Sequence, residues 1–239
     1  MAISSLTKSF INLIYPLHCA ACSKQLDPES DCAVCRACIL SIERNPEPHC
    51  ICCGKPVGAC QERCDDCIVE KPAFSFARSA YIYSGAMKNL IHGFKYDSRL
   101  HLSEVLSDLF SAFLCDNHSL LDGVDRVTFV PMAQKRLRKR GFNQSLVLAK
   151  GVAESYGIPM DDCMEKYRPT KNQNELSRDD RLVNLRGAFR VKDASDISGR
   201  TVLIIDDVMT TGATLNECAR ALLDAGASEV RGITLARGI

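Results

Sequence analysis

Apolar positions in this chain fall into short runs separated by segments with helical spacing. The runs are rich in β-branched and aromatic side chains, as in buried strands, and they cover residues 74–83, 127–131, 201–205 and 230–236. Helical spacing is found at residues 85–94, 100–114, 144–156 and 215–222. A further helix is predicted over residues 3–17, whose apolar face suits packing better than membrane contact. The pattern therefore predicts strands that alternate with helices.

The third predicted strand leads into the segment with the clearest chemistry. Thr201–Ile205 is continuous and mostly β-branched, and in open parallel sheets ligands lie just beyond the carboxyl ends of such strands. Asp206 and Asp207 follow at that end, and ionised carboxylates accept hydrogen bonds from a pair of sugar hydroxyls. A loop rich in Thr and Gly comes next, consisting of Val208, Met209, Thr210, Thr211, Gly212, Ala213 and Thr214.

This loop has the composition of a phosphate cradle. Gly212 lacks a Cβ, so the backbone there can approach a phosphate closely. The helix predicted over residues 215–222, with Gly226 as its stop, would begin at the loop and present its amides to an anion. An ordinary strand–turn–helix with two aspartates in the turn is the alternative. The segment resembles the phosphoribosyl-pyrophosphate (PRPP) signature of type I phosphoribosyltransferases.

Cysteines are concentrated near the N-terminus, where 11 of the 14 lie between Cys19 and Cys67. Without a secretory signal, such clustering favours metal over disulfides. Two pairs of cysteines with the two-residue spacing of a metal knuckle make one tetrahedral zinc site, so four pairs predict two zinc ions. The four pairs are Cys19/Cys22, Cys35/Cys38, Cys50/Cys53 and Cys64/Cys67.

Chain order suggests that the first two pairs hold one ion and the last two pairs hold the other. An interleaved pairing stays open, and Cys32 could replace Cys38 as the partner of Cys35. Cys52 and Cys60 are surplus, and a disulfide framework or unliganded thiols are the alternatives to metal. A short ribbon of this kind has too small a core to fold without its metal, and it lacks the basic footprint of a nucleic-acid finger.

A basic segment follows the second predicted strand, and five of the six residues from 135 to 140 are Lys or Arg. As a loop at the carboxyl end of a strand, this segment could hold pyrophosphate through Lys135, Arg136 and Arg140. It could equally contact a nucleic-acid backbone or form a solvated surface. Asn143 is suited to cap the next helix and Gly157 to end it.

The polar stretch from Lys171 to Arg190 lacks a strong period. Its place before the third strand is where a mobile loop that closes over a charged ligand would belong. A plain surface connection is the alternative.

Composition excludes several classes of function. The chain has 239 residues, of which 46% are hydrophobic, and a net charge of +1, so no global charge draws it to nucleic acid or membrane. No apolar run approaches the length of a membrane span, and the N-terminus lacks a convincing signal peptide. We therefore expect a cytoplasmic protein.

The order and spacing of these motifs resemble the ComF/GntX family of phosphoribosyltransferase-like proteins. The matching pieces are the CxxC ladder of a double zinc ribbon, Ile91-His92 with Lys95-Tyr96, Arg136 with Arg140–Gln144, Gln173 with Leu176-Ser177 and Arg181, Asn184 with Phe189, and Val202–Thr214. The resemblance implies an α/β type I phosphoribosyltransferase fold, a parallel sheet flanked by helices, over residues 73–239. An N-terminal helix and a double zinc ribbon would occupy residues 1–72.

The resemblance further implies a Mg²⁺-dependent site that binds PRPP or transfers its 5-phosphoribosyl group. Asp206 and Asp207 would be catalytic and hold the ribose hydroxyls, the loop 208–214 would hold the 5-phosphate, and the basic segment would neutralise leaving pyrophosphate. Some members of the family are needed for DNA uptake in natural transformation. The alternative is a non-catalytic module that uses the fold as a scaffold for single-stranded DNA or competence-machinery proteins.

Overall fold

The computed structural model describes residues 16–27, 32–96, 102–168 and 185–238. The predicted N-terminal helix at residues 3–17 lies almost wholly outside these ranges. So does most of the predicted closing loop at residues 171–190, including Gln173, Leu176, Ser177, Arg181 and Asn184.

Strands and helices alternate over the described residues much as the apolar pattern predicts. The strands are β1 (Phe76–Ile82), β2 (Arg126–Phe129), β3 (Met164–Lys166), β4 (Phe189–Val191), β5 (Thr201–Met209) and β6 (Glu229–Arg237). The helices are α1 (Arg36–Leu40), α2 (Asp65–Val69), α3 (Gly85–Tyr96), α4 (Leu102–Asp116), α5 (Gln134–Arg140), α6 (Gln144–Tyr156) and α7 (Ala213–Asp224), with a 3-10 turn at His118–Leu121.

Four strands form a parallel sheet in the order β1-β6-β5-β2, and β3 pairs with β4 in a separate antiparallel ribbon. Side chains of β5 alternate between two apolar layers. Leu203 and Ile205 pack with α3, α4 and α6, whereas Val202 and Ile204 pack with α7. The sheet is therefore covered on both faces, as the continuous apolar strands predict.

The structure differs from the sequence prediction at two places that affect the site. Strand β5 continues to Met209, because Asp206 and Met209 pair in register with Thr234 and Arg237 of β6. The two carboxylates thus lie within the strand rather than just after it. The prediction of a basic loop at residues 135–140 is also wrong, since this segment is helix α5, which ends at Gly141 in the left-handed conformation.

The cysteine-rich segment packs against the sheet rather than standing apart from it. Cys19 and Cys38 belong to the apolar layer that contains α3 and α4, while Cys50 and Cys53 belong to the layer that contains α7. Gly54 lies very close to the sheet, because a Cβ there would lie 2.8 Å from the carbonyl oxygen of Ala77 in β1. Within the described ranges, no helix has both the length and the apolar character needed to cross a bilayer.

Candidate functional site

Eight cysteines come together in two groups of four, in chain order. One group is Cys19, Cys22, Cys35 and Cys38, and the other is Cys50, Cys53, Cys64 and Cys67. Within each group the sulfur atoms all lie within 4.8 Å of one another. Four thiolates at this spacing fit a tetrahedral zinc ion, so the two groups fit two zinc sites.

The two cysteine groups differ in exposure. Cys22 is exposed and Cys35 is half-buried, whereas all four members of the second group are buried. In each group one thiol has a lowered pKa. Burial raises the pKa of Cys19 and of Cys50, but hydrogen bonds from nearby backbone amides outweigh it and bring each pKa to about 6.

The adjacent carboxylates of β5 have different partners. Asp206 Oδ1 accepts a hydrogen bond from Ser145 Oγ at 2.7 Å, and also one from the amide of Asp207 at 2.9 Å. Asp207 forms a two-pronged ion pair with Lys95, whose Nζ lies 2.9 Å from Oδ1 and 2.8 Å from Oδ2. Helix α6 thereby orients one carboxylate, and helix α3 orients the other.

These contacts set the charge of the site. Burial and the negative charge of Asp207 raise the pKa of Asp206 to about 7, against the opposing effects of Ser145 and Lys95. Burial opposes the charge of Lys95, but its contact with Asp207 outweighs burial and raises the pKa of the ammonium. A carboxyl with a raised pKa beside a fixed ion pair is typical of a functional site.

The end of β5 opens into a small pocket. Its lining consists of Leu185, Asp206 and the segment from Val208 to Leu215. Gly212 is left-handed, with φ +80°, and it caps helix α7 without a side chain that could satisfy the first amides of the helix. The pocket thus brings a carboxylate to one end and a helix N-terminus, which favours anions, to the other.

A glycine in β6 determines how close α7 lies to the sheet. A Cβ at Gly232 would overlap the side chain of Leu215, which is buried in the first turn of α7. Because Gly232 pairs with Ile204 in the middle of β5, helix α7 packs directly over these two strands. The position of the pocket therefore depends on this close contact.

The basic residues lie beside the start of α6. Lys135 and Arg136 are exposed, and Arg140 is half-buried, with Nη1 donating to Gln144 Oε1 at 2.9 Å. Lys166 of β3 adds a cation that the sequence analysis did not select. Burial and the positive charge of Arg136 lower the pKa of Lys166 to about 8.

Sequence reasoning also missed the partners of the carboxylates. In the sequence, Lys95 stands out only as one of the pieces that match the family, with no role assigned, and nothing selects Ser145. Ser145 is 61 residues from Asp206, and Lys95 is 112 residues from Asp207. The only local signal was the cap, because Asn143 accepts a hydrogen bond from the Ser145 amide and so fixes the start of α6.

Two family descriptions match separate parts of the chain. Residues 143–239 match the phosphoribosyl transferase domain, and residues 10–68 match the double zinc ribbon domain. The first match contains the carboxylates, the loop and Ser145, and the second contains all eight clustered cysteines. The fold and the two matches define a phosphoribosyltransferase-domain protein with a double zinc ribbon.

Relatives extend the likeness over most of the chain. DNA utilization protein YhgH of Salmonella typhi is 31% identical over 201 residues, which are 83% of this chain and 87% of the relative. Competence protein ComFC of Streptococcus pneumoniae is 30% identical over 209 residues, which are 87% of this chain and 89% of the relative. The chain belongs to the family of these proteins, so the ComF/GntX resemblance is confirmed.

A solved structure overlaps the chain only in part. The glutamine PRPP amidotransferase from B. subtilis, complexed with ADP and GMP, is 28% identical over 46% of this chain and 22% of its own, with a TM-score of 0.32. The family assignment rests on the domain matches and the relatives.

Proposed function

We propose that the protein binds PRPP with Mg²⁺ at the carboxyl end of β5 and transfers, or holds, its 5-phosphoribosyl group. The observation that carries the proposal is the continuity of Asp206 and Asp207 with a left-handed glycine loop at the N-terminus of α7. This arrangement places acceptors for ribose hydroxyls next to donors for a phosphate. The segment Val208–Thr214 would wrap the 5-phosphate, and Thr210, Thr211 and Thr214 would add hydroxyl donors.

The two carboxylates would have unequal roles. Both oxygens of Asp207 contact Lys95, so this residue is the more firmly anchored. Among the described residues, the hydrogen bonds to Asp206 use Oδ1 alone, which leaves Oδ2 for a ribose hydroxyl. Carboxylate oxygens are also ligands that Mg²⁺ prefers, so Asp206 and Asp207 would help to hold the ion, which would supply positive charge against the phosphates of PRPP.

Pyrophosphate would leave toward the basic residues. Transfer breaks the bond between the anomeric carbon and a pyrophosphate oxygen, which keeps the electron pair, while a nitrogen of the acceptor forms the new bond and passes its proton to water. Lys135, Arg136 and Arg140 would neutralise the departing charge, and Gln144 orients Arg140 for this purpose. The site would act by positioning and electrostatics.

Calorimetric titration of Mg²⁺-PRPP into the full-length protein tests the proposal. We expect binding in the micromolar range for the wild type and a loss of at least about tenfold in Asp206→Ala, because a hydrogen bond to a charged group contributes about 1.5–3 kcal/mol. Asp162→Asn, which changes an exposed carboxylate, is the control and should bind like the wild type. If the wild type does not bind, the proposal fails.

A second candidate is a module that binds single-stranded DNA. Helix α5 favours it, because most of its Lys and Arg side chains are exposed. The relatives' names, DNA utilization protein and competence protein, point the same way. Competence-machinery proteins would be the other partners of such a module.

We further propose a cytoplasmic location, which would keep the cysteines reduced for zinc.

Salt dependence separates the two candidates. Binding of a single-stranded oligonucleotide through α5 should fall steeply with salt and should weaken in Arg136→Ala and Arg140→Ala. The affinity for the oligonucleotide should be the same in Asp206→Ala as in the wild type. An oligonucleotide affinity that depends on Asp206 would mean that DNA competes for the PRPP site, and the second candidate would lose its independence.

A further inference from the structure

Arg237, the last residue of β6, is a buried cation with no carboxylate partner in the described part of the chain. Only 3% of the residue is exposed. Its Nη1 donates to the carbonyl oxygen of Cys53 at 2.6 Å, and its Nη2 lies 3.7 Å from Cys53 Sγ. Burial of a lone charge is expensive, so a buried guanidinium requires a negative partner. The group in contact with it is the second cysteine cluster.

A loaded zinc site would provide that negative charge. A complex of Zn²⁺ with four thiolates has a net charge of −2. Arg78 of β1 contacts the same cysteine cluster, because its Nη1 donates to the carbonyl oxygen of Ile51, between Cys50 and Cys53, at 3.0 Å. The two guanidinium groups therefore balance the charge of a metal-loaded second site.

The backbone of Arg237 contacts the start of the segment 209–215. This segment overlaps the predicted loop 208–214 and is called the phosphate loop below. Arg237 is opposite Met209 in the sheet, and the Gly238 amide donates to the Met209 carbonyl oxygen at 2.9 Å. A Cβ at Gly238 would lie 3.0 Å from Thr210 Cγ2, so Gly238 lies close against the side chain of Thr210. One residue thus joins the second cysteine cluster to the phosphate loop.

We propose that Arg237 is a positioning residue through which zinc at the second site holds the phosphate loop in its conformation. The functional meaning of this coupling rests on the proposed PRPP site, whereas the coupling itself does not require PRPP. The first cysteine group is not expected to have this effect, because Cys19 and Cys38 pack in the other apolar layer of the sheet. The two zinc ions would therefore have different tasks.

The experiment measures zinc release and backbone exchange in the full-length protein. Zinc release is followed as transfer to a chromogenic chelator, and amide hydrogen exchange is followed by mass spectrometry over residues 209–215. The variants are Arg237→Gln, the conservative Arg237→Lys, and Arg44→Gln as a control that removes a guanidinium from an exposed ion pair. Cys22→Ser disables the first site, so that the ion that remains is the second.

We expect Arg237→Gln to release the second zinc about tenfold faster, as loss of a charged hydrogen bond implies, and to speed exchange over residues 209–215. PRPP affinity should fall in the same variant. Arg237→Lys should restore part of each property, and Arg44→Gln should match the wild type. In Cys22→Ser, withdrawal of the remaining zinc by a chelator should speed exchange over the same residues more than over α4, which separates the coupling from a general loss of stability.

Unchanged exchange at residues 209–215 after this withdrawal, or an increase no larger than that of α4, would overturn the coupling, even if Arg237→Gln does not fold. The two proposals fail separately. A wild-type protein that does not bind Mg²⁺-PRPP, but whose loop exchange responds to zinc, refutes the PRPP site and supports the coupling. If the wild type binds PRPP but its exchange over residues 209–215 does not change when zinc is removed, only the coupling is refuted.

Discussion

At the scale of single residues, two identical side chains in adjacent positions have different properties. Asp207 is held by the ammonium of Lys95, while Asp206 meets a neutral hydroxyl and the charge of its neighbour. The two partners lie on different helices, Ser145 on α6 and Lys95 on α3, although both helices pack in the same apolar layer of the sheet. The sequence predicts the pair, but not which member is anchored, because the partners come from distant segments.

Asp206→Asn should stabilise the protein above neutral pH. The pKa of Asp206 is raised to about 7 in the folded state, from about 4 in the unfolded chain. The destabilisation caused by its ionisation therefore grows from pH 4 to pH 7 and is constant above. Thermal unfolding of Asp206→Asn should occur several degrees higher than in the wild type at pH 8.

The pH series itself provides the check. The difference in Tm should narrow as the pH is lowered from 7 to 5, with Asp162→Asn as the exposed control. A difference that does not vary with pH would show that Asp206 has an ordinary pKa.

At the scale of elements, the sequence predicts which segments are strands and helices better than where they end. Strand β5 passes through Asp206 and Asp207 because β6 continues to pair with it as far as Arg237. Helix α5 forms where a loop was predicted, since Gln, Lys, Arg and Leu are all good helix formers and the first glycine is Gly141. Partner strands and local propensity decided these boundaries.

Gly232→Ala should displace α7 and weaken the site. The added methyl group would overlap Leu215, and overpacking of this kind destabilises proteins by about 1–3 kcal/mol. We expect a lower Tm and a lower affinity for Mg²⁺-PRPP, because the loop is continuous with the first turn of α7. Thermal unfolding and calorimetry measure the two effects.

Two further variants make this prediction specific. Leu215→Ala combined with Gly232→Ala should destabilise the protein by less than the sum of the two single variants, since Leu215→Ala removes the side chain that the new methyl group would overlap. Gly151→Ala is the matched control, because its Cβ would meet Ser107 only at ordinary distances of 3.8 Å or more. Equal effects of the two glycine substitutions would contradict the role assigned to Gly232.

At the scale of the whole molecule, the cysteine-rich segment and the sheet share their apolar layers. Cys38 packs in one layer and Cys67 in the other, and the Ala77 amide donates to the Cys52 carbonyl oxygen at 2.6 Å. The boundary predicted between residues 72 and 73 stays a prediction. The shared packing implies that the ribbon and the sheet stabilise each other.

Removal of zinc should lower the stability of the whole chain. We expect about two zinc ions per chain by elemental analysis of reduced protein, and about one in Cys22→Ser. Chelation should lower the Tm of a single transition by roughly 10 °C or more, because metal binding contributes several kcal/mol and each kcal/mol shifts a chain of this size by about 2–4 °C. An unchanged Tm in metal-free protein would contradict the shared core.

Neighbouring residues are enough to predict the local chemistry of this protein. The cysteine pairs, the adjacent aspartates and the Thr- and Gly-rich loop are each contiguous in the chain, and strand and helix periods follow from neighbouring residues. Which groups meet across the fold depends on packing between distant segments. Contacts such as Ser145 with Asp206, Lys95 with Asp207 and Arg237 with Cys53 join residues 61 to 184 positions apart. The physical reason is that the order of parallel strands and the packing of helices on both faces set these distances, and no local pattern contains that order.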